Sequence, residues 1–262
     1  MKVLVTGAGR AIGAATCHEL KAAGHEVIAT ARDVSLLQEL DVDQRLQLDV
    51  TSEDSMSEAL ETAGEIDAIV NNAALQGSAP LETYPVDFIR DMFETNAIGP
   101  LRLIQMVIPS WRARGSGVIV NVSSVQGRVA TPLEGPYSAT KYALEAFSET
   151  LHYELGHFGI RVVIIEPGYI APGMKRSVEL PQPEQYQLLY DQWAGTDTKV
   201  TGGSGRPGPE IVGRAIAKAL IDPTTPLRVP VGADAELILD VRAQSSDAAF
   251  ESTMRSTLGL TW

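Results

Sequence analysis

Short apolar runs and longer amphipathic stretches alternate along most of the chain. Such alternation predicts βαβ units, in which helices cover both faces of a parallel sheet. Right-handed crossovers then give a doubly wound, Rossmann-type sheet that binds ligands at the carboxyl ends of its strands. We therefore expect a single α/β domain over residues 1–262 with about seven strands. The runs of strand length cover residues 2–6, 25–30, 45–49, 66–71, 117–123, 161–166 and 227–231.

Helix-like stretches separate these runs. Pro100 interrupts the longest of them and predicts a kink or bend there. Pro136 lies in the first turn of its helix, where proline is well tolerated. The predicted helices cover residues 11–23, 33–40, 53–62, 86–112, 136–155 and 209–221.

Two segments depart from the alternation. Residues 168–209 are punctuated by Gly, Pro and Thr, and a long irregular segment in a compact domain is usually a lid or a binding loop. We therefore expect a substrate-binding loop there. Residues 234–262 form a C-terminal tail of mixed helical character, and no pattern in it predicts where it docks.

The amino-acid composition narrows the possible binding partners and the cellular compartment. The net charge of −12 argues against nucleic-acid or anionic-membrane binding, which needs a basic face. Cys17 is the only cysteine, so no intrachain disulfide can form. No signal peptide and no apolar run of about 18 to 20 residues is seen, and we expect a reducing, cytoplasmic protein. The four histidines have no metal-ligand spacing, so we expect no metal.

A glycine-rich turn follows the first predicted strand. It reads Thr-Gly-Ala-Gly-Arg-Ala-Ile-Gly over residues 6–13 and leads into the first helix. Its small residues let the backbone approach a pyrophosphate, and the helix N-terminus supplies N–H groups and positive potential. Helix packing alone can also ask for glycine, but the position at the first βα turn favours cofactor binding.

Tyr137 and Lys141 stand four residues apart in a predicted helix, and Ser124 precedes Tyr137 by thirteen residues. Side chains four apart share one helix face. The lysine ammonium would then stabilise a phenolate that otherwise forms only near pH ~10. Such a tyrosine can exchange a proton with an alcohol near neutral pH, while a serine hydroxyl holds the oxygen. The same spacing also occurs by chance in many helices.

These motifs together resemble the short-chain dehydrogenase/reductase family over nearly the whole chain. The resemblance rests on the T-G-x-x-x-A-x-G turn, Asn71-Asn72-Ala73, the Ser124–Tyr137–Lys141 spacing and Pro167-Gly168. Residues 226–232 also resemble members related to 17β-hydroxysteroid dehydrogenases. That stretch is short and does not establish a steroid substrate.

The resemblance implies four catalytic residues, which are Asn96, Ser124, Tyr137 and Lys141. Tyr137 would be the general acid in reduction and the general base in oxidation. Lys141 would lower the pKa of Tyr137 and hold the nicotinamide ribose. Asn96 would bend its helix and carry a water that links Lys141 to solvent, although a purely helix-bending role stays open. Ser123 competes with Ser124, and the spacing to Tyr137 favours Ser124.

The resemblance also implies a nicotinamide-cofactor site. Asp49 and Val50 match the adenine position, and Asn71 is expected to be structural. Two positions depart from the family pattern: Ala74 stands where glycine is usual, and Pro172 replaces a threonine that contacts the cofactor. The implied cofactor residues are Gly7, Gly9, Arg10, Ile12, Gly13, Arg32, Asp49, Val50, Asn72, Ala73, Ala74, Tyr137, Lys141, Pro167, Gly168 and Ile170.

Cofactor choice depends on the end of the second strand. The family position that carries a carboxylate in NAD enzymes falls at Ala31, which cannot bind the ribose hydroxyls. Arg32 and Arg10 suit a 2′-phosphate, because each guanidinium can bind it in bidentate fashion. We therefore expect NADPH/NADP⁺ rather than NADH. Two solvated surface arginines are the alternative, and Asp33 could neutralise Arg32 or turn toward the ribose.

The resemblance thus predicts NADPH-dependent reduction of a hydrophobic ketone or aldehyde. Two alternatives remain: a 3-oxoacyl thioester reductase, for which Lys175, Arg176 and Lys199 supply sparse basic residues, and a non-catalytic NADP(H)-binding sensor. By resemblance we expect a homodimer or homotetramer, formed through the helices at 86–112 and 136–155. The residues that we expect in the substrate pocket are Leu75, Gln76, Val125, Gln126, Leu133, Tyr169, Tyr186, Leu189 and Trp193.

Overall fold

The computed structural model of the protein describes residues 1–174, 178–201, 203 and 205–262. Within these residues seven parallel strands form one sheet in the order β3-β2-β1-β4-β5-β6-β7. This is the predicted doubly wound α/β fold. The strands are β1 (Lys2–Val5), β2 (Glu26–Ala31), β3 (Gln44–Gln47), β4 (Ala68–Asn71), β5 (Gly117–Val122), β6 (Ile160–Pro167) and β7 (Arg228–Val231).

The strand order reverses direction at β1. This strand pairs with β2 on one side and with β4 on the other, so Val3 lies between Val27 and Ala68. The connections on the two sides leave in opposite directions, and a crevice opens at the carboxyl ends of β1 and β4. The candidate site lies in this crevice.

Helices cover both faces of the sheet. Val3 and Val5 face a core that includes Val212 and Ile216, whereas Leu4 faces the opposite core, which includes Trp111. Successive strand residues point to opposite faces, so one strand contributes to both cores. The helices are α1 (Ala11–Ala22), α2 (Glu53–Ala63), α3 (Val86–Phe93), α4 (Gly99–Arg114), α5 (Gly135–Leu155), α6 (Gln187–Trp193), α7 (Thr196–Val200), α8 (Glu210–Ile221), α9 (Ala233–Gln244) and α10 (Asp247–Leu258).

The helix predicted at 33–40 is wrong. The structure has only a short 3₁₀ turn there, Val34–Leu37, which begins where Asp33 accepts a hydrogen bond from the Ser35 N–H. The Arg45 guanidinium donates to the Leu37 carbonyl at 3.0 Å. The same carbonyl accepts from the Leu40 N–H at 3.1 Å, and Arg45 also donates to the Leu40 carbonyl, so Arg45 holds the chain where it leaves the turn for β3.

The single helix predicted at 86–112 is divided into α3 and α4 by a π-helical turn, Glu94–Ile98. Pro100 lies in the first turn of α4 and has no N–H to donate to the carbonyl of Asn96, four residues earlier. The wider π turn accommodates this missing hydrogen bond. The expected bend at Pro100 therefore takes the form of a local change in helix type.

The segment 168–209 and the C-terminal tail contain more regular structure than their sequence indicates. The expected irregular segment includes α6 and α7, and the tail forms α9 and α10. The two segments contact each other, since the Thr261 N–H donates to the Gln192 side chain at 2.9 Å and Lys199 donates to the Leu258 carbonyl. The tail is therefore anchored on the segment expected to bind substrate.

Buried charges connect β6, β7 and α5 behind the crevice. Arg228 lies 3.0 Å from Glu145, 2.7 Å from Glu149 and 3.9 Å from Glu166, and Arg128 lies 3.5 Å from Glu166. Glu166 is only 1% exposed. Burial first, and then the Glu145 carboxylate, raises the pKa of Glu166 to about 7, although both arginines act in the opposite direction.

The raised pKa predicts how stability changes with pH in a Glu166→Gln variant. A carboxyl whose pKa is higher in the folded state stabilises the protein below its unfolded pKa, and this contribution is lost as pH rises through about 7. Between about pH 5 and pH 8 the wild type should therefore lose stability relative to Glu166→Gln, by at least ~2 °C in Tm. Thermal unfolding at several pH values measures the difference.

Glu149→Gln is the matched control for this experiment. Glu149 is more exposed, and its hydrogen bond with Arg228 lowers its pKa, so its contribution stays constant above about pH 5. Parallel Tm curves for the wild type and Glu166→Gln would contradict the assignment.

Candidate active site

A cleft of about 1020 Å³ occupies the crevice at the carboxyl edge of the sheet. It extends from the glycine-rich turn after β1 to the segment that follows β6. All the proposed cofactor residues line it except Gly13. Of the four proposed catalytic residues, Ser124, Tyr137 and Lys141 line it, whereas Asn96 is buried beside it.

Hydrogen bonds from β4 hold the glycine-rich turn in place. The Asn72 side-chain amide donates to the carbonyls of Thr6 and Gly7, at 3.0 and 3.1 Å. Gly7 adopts φ +63°, a conformation that favours glycine. Gly13 lies behind the turn, where a Cβ atom would stand 2.3 Å from the Gly7 carbonyl oxygen. Gly13 thus acts by permitting close packing of α1, and Asn72 by fixing the turn.

Two exposed arginines and two carboxylates surround the end of the cleft near β2. Arg10 and Arg32 both line it. The Ser35 side chain and backbone lower the pKa of Asp33 most, and Arg10 lowers it further, so Asp33 caps its own turn near Arg10. Asp49 accepts hydrogen bonds from the Thr51 N–H and hydroxyl, at 2.9 and 2.8 Å.

Ser124, Tyr137 and Lys141 meet at the base of the cleft. The Lys141 Nζ lies 5.7 Å from the centre of the Tyr137 ring and donates to the Val122 carbonyl at 2.7 Å. Tyr137 shares a hydrogen bond with Ser124. The chain positions them because Ser124 follows β5 directly and the other two lie on one face of α5.

The predicted lowering of the tyrosine pKa is absent from this structure. Burial and then the Glu134 carboxylate raise the pKa of Tyr137, and the Ser124 hydrogen bond offsets this only in part. Burial also lowers the pKa of Lys141 to about 8, partly offset by Glu145. The sequence pattern predicts that Tyr137 and Lys141 share a helix face, but it does not predict how deeply the phenol is buried. Burial has the largest effect on the pKa of Tyr137.

Asn96 lies in the π turn and is fully engaged with neighbouring groups. Its Oδ1 accepts from the Leu75 N–H at 2.7 Å, and its Nδ2 donates to the Leu75 carbonyl at 2.8 Å and to the Thr140 hydroxyl at 3.0 Å. The side chain thus connects the segment after β4 with α5. This geometry gives Asn96 a positioning role, and its side chain does not line the cleft.

The two neighbouring serines differ in their surroundings. Ser124 accepts a hydrogen bond from the Gln126 N–H at 3.2 Å and bonds with Tyr137. The Ser123 hydroxyl has no hydrogen-bond partner among the described residues and lies near Gly127 and Glu145. Asn71, expected to be structural, donates from its side chain to Asn121 on β5 at 2.8 Å.

The segment after β6 is held by a residue that the sequence analysis missed. Asp234, in the first turn of α9, accepts a hydrogen bond from the Tyr169 N–H at 2.6 Å and is almost fully buried. Its carboxylate lies so close to Gly168 that a Cβ there would be 2.1 Å from Oδ2. The docked tail therefore fixes Pro167–Gly168, two of the implied cofactor residues.

A small apolar chamber of about 60 Å³ adjoins Ser124. Four expected pocket residues line it, namely Val125, Gln126, Tyr169 and Trp193. Leu75 and Gln76 line the main cleft, whereas Leu133, Tyr186 and Leu189 line neither cavity. The sequence analysis missed the chamber residues Val129, Thr131, Val200, Ile238, Met254 and Leu258.

In the described ranges, no group of three or more His, Cys, Asp and Glu side chains is arranged to hold a metal ion. None of the helices in that part of the chain is both long and apolar enough to cross a bilayer.

The residues present fit a nicotinamide dinucleotide. A pyrophosphate can bind at the glycine-rich turn, because Gly7 has a positive φ and the N-terminus of α1 packs closely against the turn. The same long cleft also contains Lys141. With the Ser–Tyr–Lys group, the fold and site define a dinucleotide-dependent oxidoreductase. The family model described as short chain dehydrogenase matches residues 1–183. The chain belongs to this family, which acts on CH–OH and C=O groups with nicotinamide cofactors.

Similar proteins agree with this assignment. An uncharacterized oxidoreductase from Schizosaccharomyces pombe is 33% identical over 225 residues, which cover 82% of this chain and 92% of the relative. Retinol dehydrogenase 8 from Homo sapiens is 31% identical over 249 residues, which cover 86% and 79%. A short-chain dehydrogenase structure from Streptomyces avermitilis has a TM-score of 0.80 and 34% identity over 98% of both chains. One from Burkholderia cenocepacia J2315, in complex with NADP, has a TM-score of 0.76 and 27% identity over 98% of this chain and 96% of its own.

We predict that Tyr137→Phe lowers turnover by at least ~100-fold, the lower end for loss of a general acid. Phenylalanine retains the buried ring but has no proton to exchange. Cofactor binding, measured by fluorescence titration, should remain. Near-normal turnover in the variant would exclude Tyr137 as the proton donor.

We also predict that Ser124→Ala reduces kcat far more than Ser123→Ala. Only Ser124 bonds with the Tyr137 hydroxyl, so only its removal deprives the substrate oxygen of a second donor. Ser123→Ala is a matched control, since both residues are buried. Equal losses, or the reverse order, would overturn the assignment.

Proposed function

We propose that the protein is an NADPH-dependent reductase that converts a hydrophobic ketone or aldehyde to the alcohol. The observation that carries the proposal is the convergence of Ser124 and Tyr137 in the cleft, where the Lys141 Nζ lies 5.7 Å from the centre of the Tyr137 ring. Two hydroxyls there can bind one carbonyl oxygen, and a single donor would not hold it in a fixed direction. Bound reduced nicotinamide supplies the hydride for such a reduction.

The chain's own residues account for the proton. Tyr137 donates its proton to the substrate oxygen as that oxygen gains negative charge, and Ser124 stabilises the charge by a hydrogen bond. Lys141, with its pKa lowered to about 8, is protonated at neutral pH and stabilises the phenolate that is left. Run in reverse, Tyr137 accepts the proton from an alcohol.

The apolar chamber supports a hydrophobic substrate. It adjoins Ser124, and Trp193, Ile238, Met254 and Leu258 contribute apolar surface to it. A chamber lined by apolar side chains suits the carbon skeleton of a ketone better than a sugar phosphate or a diacid. The relative named retinol dehydrogenase supports an apolar alcohol or carbonyl class.

The preference for NADPH is supported by the arginines at the β2 end of the cleft. Arg10 and Arg32 line it, and Ala31 offers no carboxylate to the ribose. The NADP complex of the Burkholderia cenocepacia relative agrees with this preference. Asp33 caps its own turn and also interacts electrostatically with Arg10, and Arg10 and Arg32 both line the cleft where a 2′-phosphate would bind.

We predict that Ala31→Asp moves cofactor preference toward NADH. The new carboxylate would accept hydrogen bonds from the ribose hydroxyls and repel the 2′-phosphate. A charge-assisted hydrogen bond contributes roughly 1.5 to 3 kcal/mol, so two arginines correspond to about a hundredfold preference or more, reduced by exposure and salt. The kcat/KM values with both cofactors measure it. A wild type that prefers NADH would overturn the proposal.

The decisive experiment is steady-state NADPH oxidation with a panel of aryl ketones and aldehydes. Reduction of several members, absent in Tyr137→Phe, is the expected result. A wild type that reduces none of them, yet binds NADPH, would favour the sensor. Activity confined to 3-oxoacyl thioesters would favour the second enzyme alternative.

No specific observation favours the thioester alternative. Lys175 and Arg176 lie outside the described residues. Lys199 donates to the carbonyls of Gln192 and Leu258, so it holds the tail rather than facing a carrier protein at the pocket mouth.

We also propose a cytoplasmic homodimer or homotetramer with α4 and α5 at its interface. Tyr142 and Tyr153 on α5 are 44% and 73% exposed. They lie eleven residues apart, about three helical turns, and therefore share one face. Exposed aromatic side chains on one helix face are expected where a second copy packs. The molar mass in solution, measured by light scattering, tests this.

A further inference from the structure

Arg206 lines the main cleft but takes no part in the proton transfer. It belongs to the segment between α7 and α8, and its side chain is 37% exposed. The other basic residues of the described chain that line this cleft are Arg10, Arg32 and Lys141. Arg10 and Arg32 lie at the β2 end, and Lys141 lies beside Tyr137. Arg206 therefore adds a positive charge that neither the β2 end nor the catalytic group supplies.

The Arg206 guanidinium is held against the segment that follows β6. Its Nε donates to Asp197 Oδ2 at 2.7 Å, and its central carbon lies 5.2 Å from the centre of the Tyr169 ring. Its Nη1 packs beside Gly173, where a Cβ atom would stand 3.0 Å away. Among the described residues, only Nε of this side chain makes a hydrogen bond, so the two Nη groups can donate to a ligand.

The wall on which Arg206 rests has no polar side chain of its own. Residues 170–173, Ile-Ala-Pro-Gly, all line the cleft, and none of them carries a side-chain hydrogen-bond donor. Pro172 also has no backbone N–H, and the Ala171 N–H donates to the Pro207 carbonyl at 2.8 Å. Arg206 thus brings a charged donor group to a wall whose own side chains have none.

A dinucleotide carries a negatively charged pyrophosphate into a cleft that is itself partly acidic. The net charge of the chain is −12, and Asp33, Asp49 and Glu134 line the same cleft. The N-terminus of α1 supplies only a partial positive charge to a pyrophosphate. A guanidinium adds a full charge and can bind phosphate oxygens in bidentate fashion.

The position of Arg206 favours the cofactor over the substrate as its ligand. Tyr169 lines both the main cleft and the apolar chamber, whereas Arg206 lines only the main cleft. The chamber beside Ser124 has mostly apolar walls and suits an uncharged carbon skeleton. The proposed substrate therefore brings no negative charge to the cleft, whereas a nicotinamide dinucleotide always does.

We propose that Arg206 binds the pyrophosphate of the nicotinamide cofactor. Through this contact the segment 168–209, which the C-terminal tail already holds, is also held by the bound cofactor. The inference rests on the proposed NADPH-dependent function and assigns one more of its binding residues.

Three ligands test the inference by isothermal titration calorimetry of the purified protein. NADPH contains every group, ADP-ribose keeps the pyrophosphate but lacks the nicotinamide and the 2′-phosphate, and adenosine 2′-monophosphate lacks the pyrophosphate. Arg206→Gln should raise the Kd of NADPH and of ADP-ribose by the same factor, at least about tenfold, which corresponds to about 1.4 kcal/mol. The Kd of adenosine 2′-monophosphate should not change.

Three further variants serve as controls. Arg206→Lys keeps the charge and should recover part of the affinity for NADPH. Asp197→Asn breaks the same ion pair but leaves the guanidinium, so it should not weaken NADPH binding. Arg214→Gln removes an equal charge from an exposed, ion-paired arginine on α8 and should leave each Kd unchanged.

The outcomes separate the inference from the proposed function. If the wild type binds NADPH and Arg206→Gln leaves its Kd unchanged, the role of Arg206 is excluded and the reductase function stands. A loss for NADPH without one for ADP-ribose would place the contact away from the pyrophosphate and overturn the inference. An equal loss in Asp197→Asn or Arg214→Gln would show an effect of loop structure or overall charge, and the inference would fail. If the wild type binds neither NADPH nor ADP-ribose, both proposals fail.

Discussion

The reversal of strand order at β1 is the constraint on which the rest of the structure depends. Because β1 pairs with β2 on one side and β4 on the other, the turns after these strands separate and open the crevice. Asn72, just after β4, donates hydrogen bonds to the carbonyls of Thr6 and Gly7, just after β1, and these bonds connect the two strand ends that border the crevice. Ser124 reaches the same edge because β5 lies next to β4, and α5 brings Tyr137 and Lys141 over it. The site is thus a consequence of topology, and its side chains are placed by parallel strands that all end at one edge.

The fold and the meeting of Ser124, Tyr137 and Lys141 in one cleft follow from sequence because they depend on local patterns. Strand periodicity predicts the sheet, and the spacing between Ser124, Tyr137 and Lys141 predicts which side chains meet. Helix ends are less predictable. The turn at 34–37 ends where Arg45 of β3 donates to the Leu37 carbonyl, and no pattern within 33–40 predicts that contact. The π turn before Pro100 likewise depends on how α3 and α4 pack, so the proline signals a disturbance without defining its form.

The tail and the segment 168–209 were the least predictable parts because they are ordered by contacts with each other. Asp234, Gln192 and Lys199 make those contacts, and none carries a periodic signal. Consequently Ile238, Met254 and Leu258, which line the apolar chamber, were missed although they are ordinary apolar residues. Glu134 could have been noticed as a single acidic residue near Tyr137. What places it in the cleft is the positive φ of Leu133, which the residue type itself disfavours.

The electrostatics of the buried groups bear on the direction of the reaction. Burial and Glu134 keep the Tyr137 phenol protonated, and Lys141 remains an ammonium below about pH 8. The protonated phenol is the form that reduction of a carbonyl would use, although its raised pKa makes it a weaker acid, whereas oxidation of an alcohol would need a phenolate first.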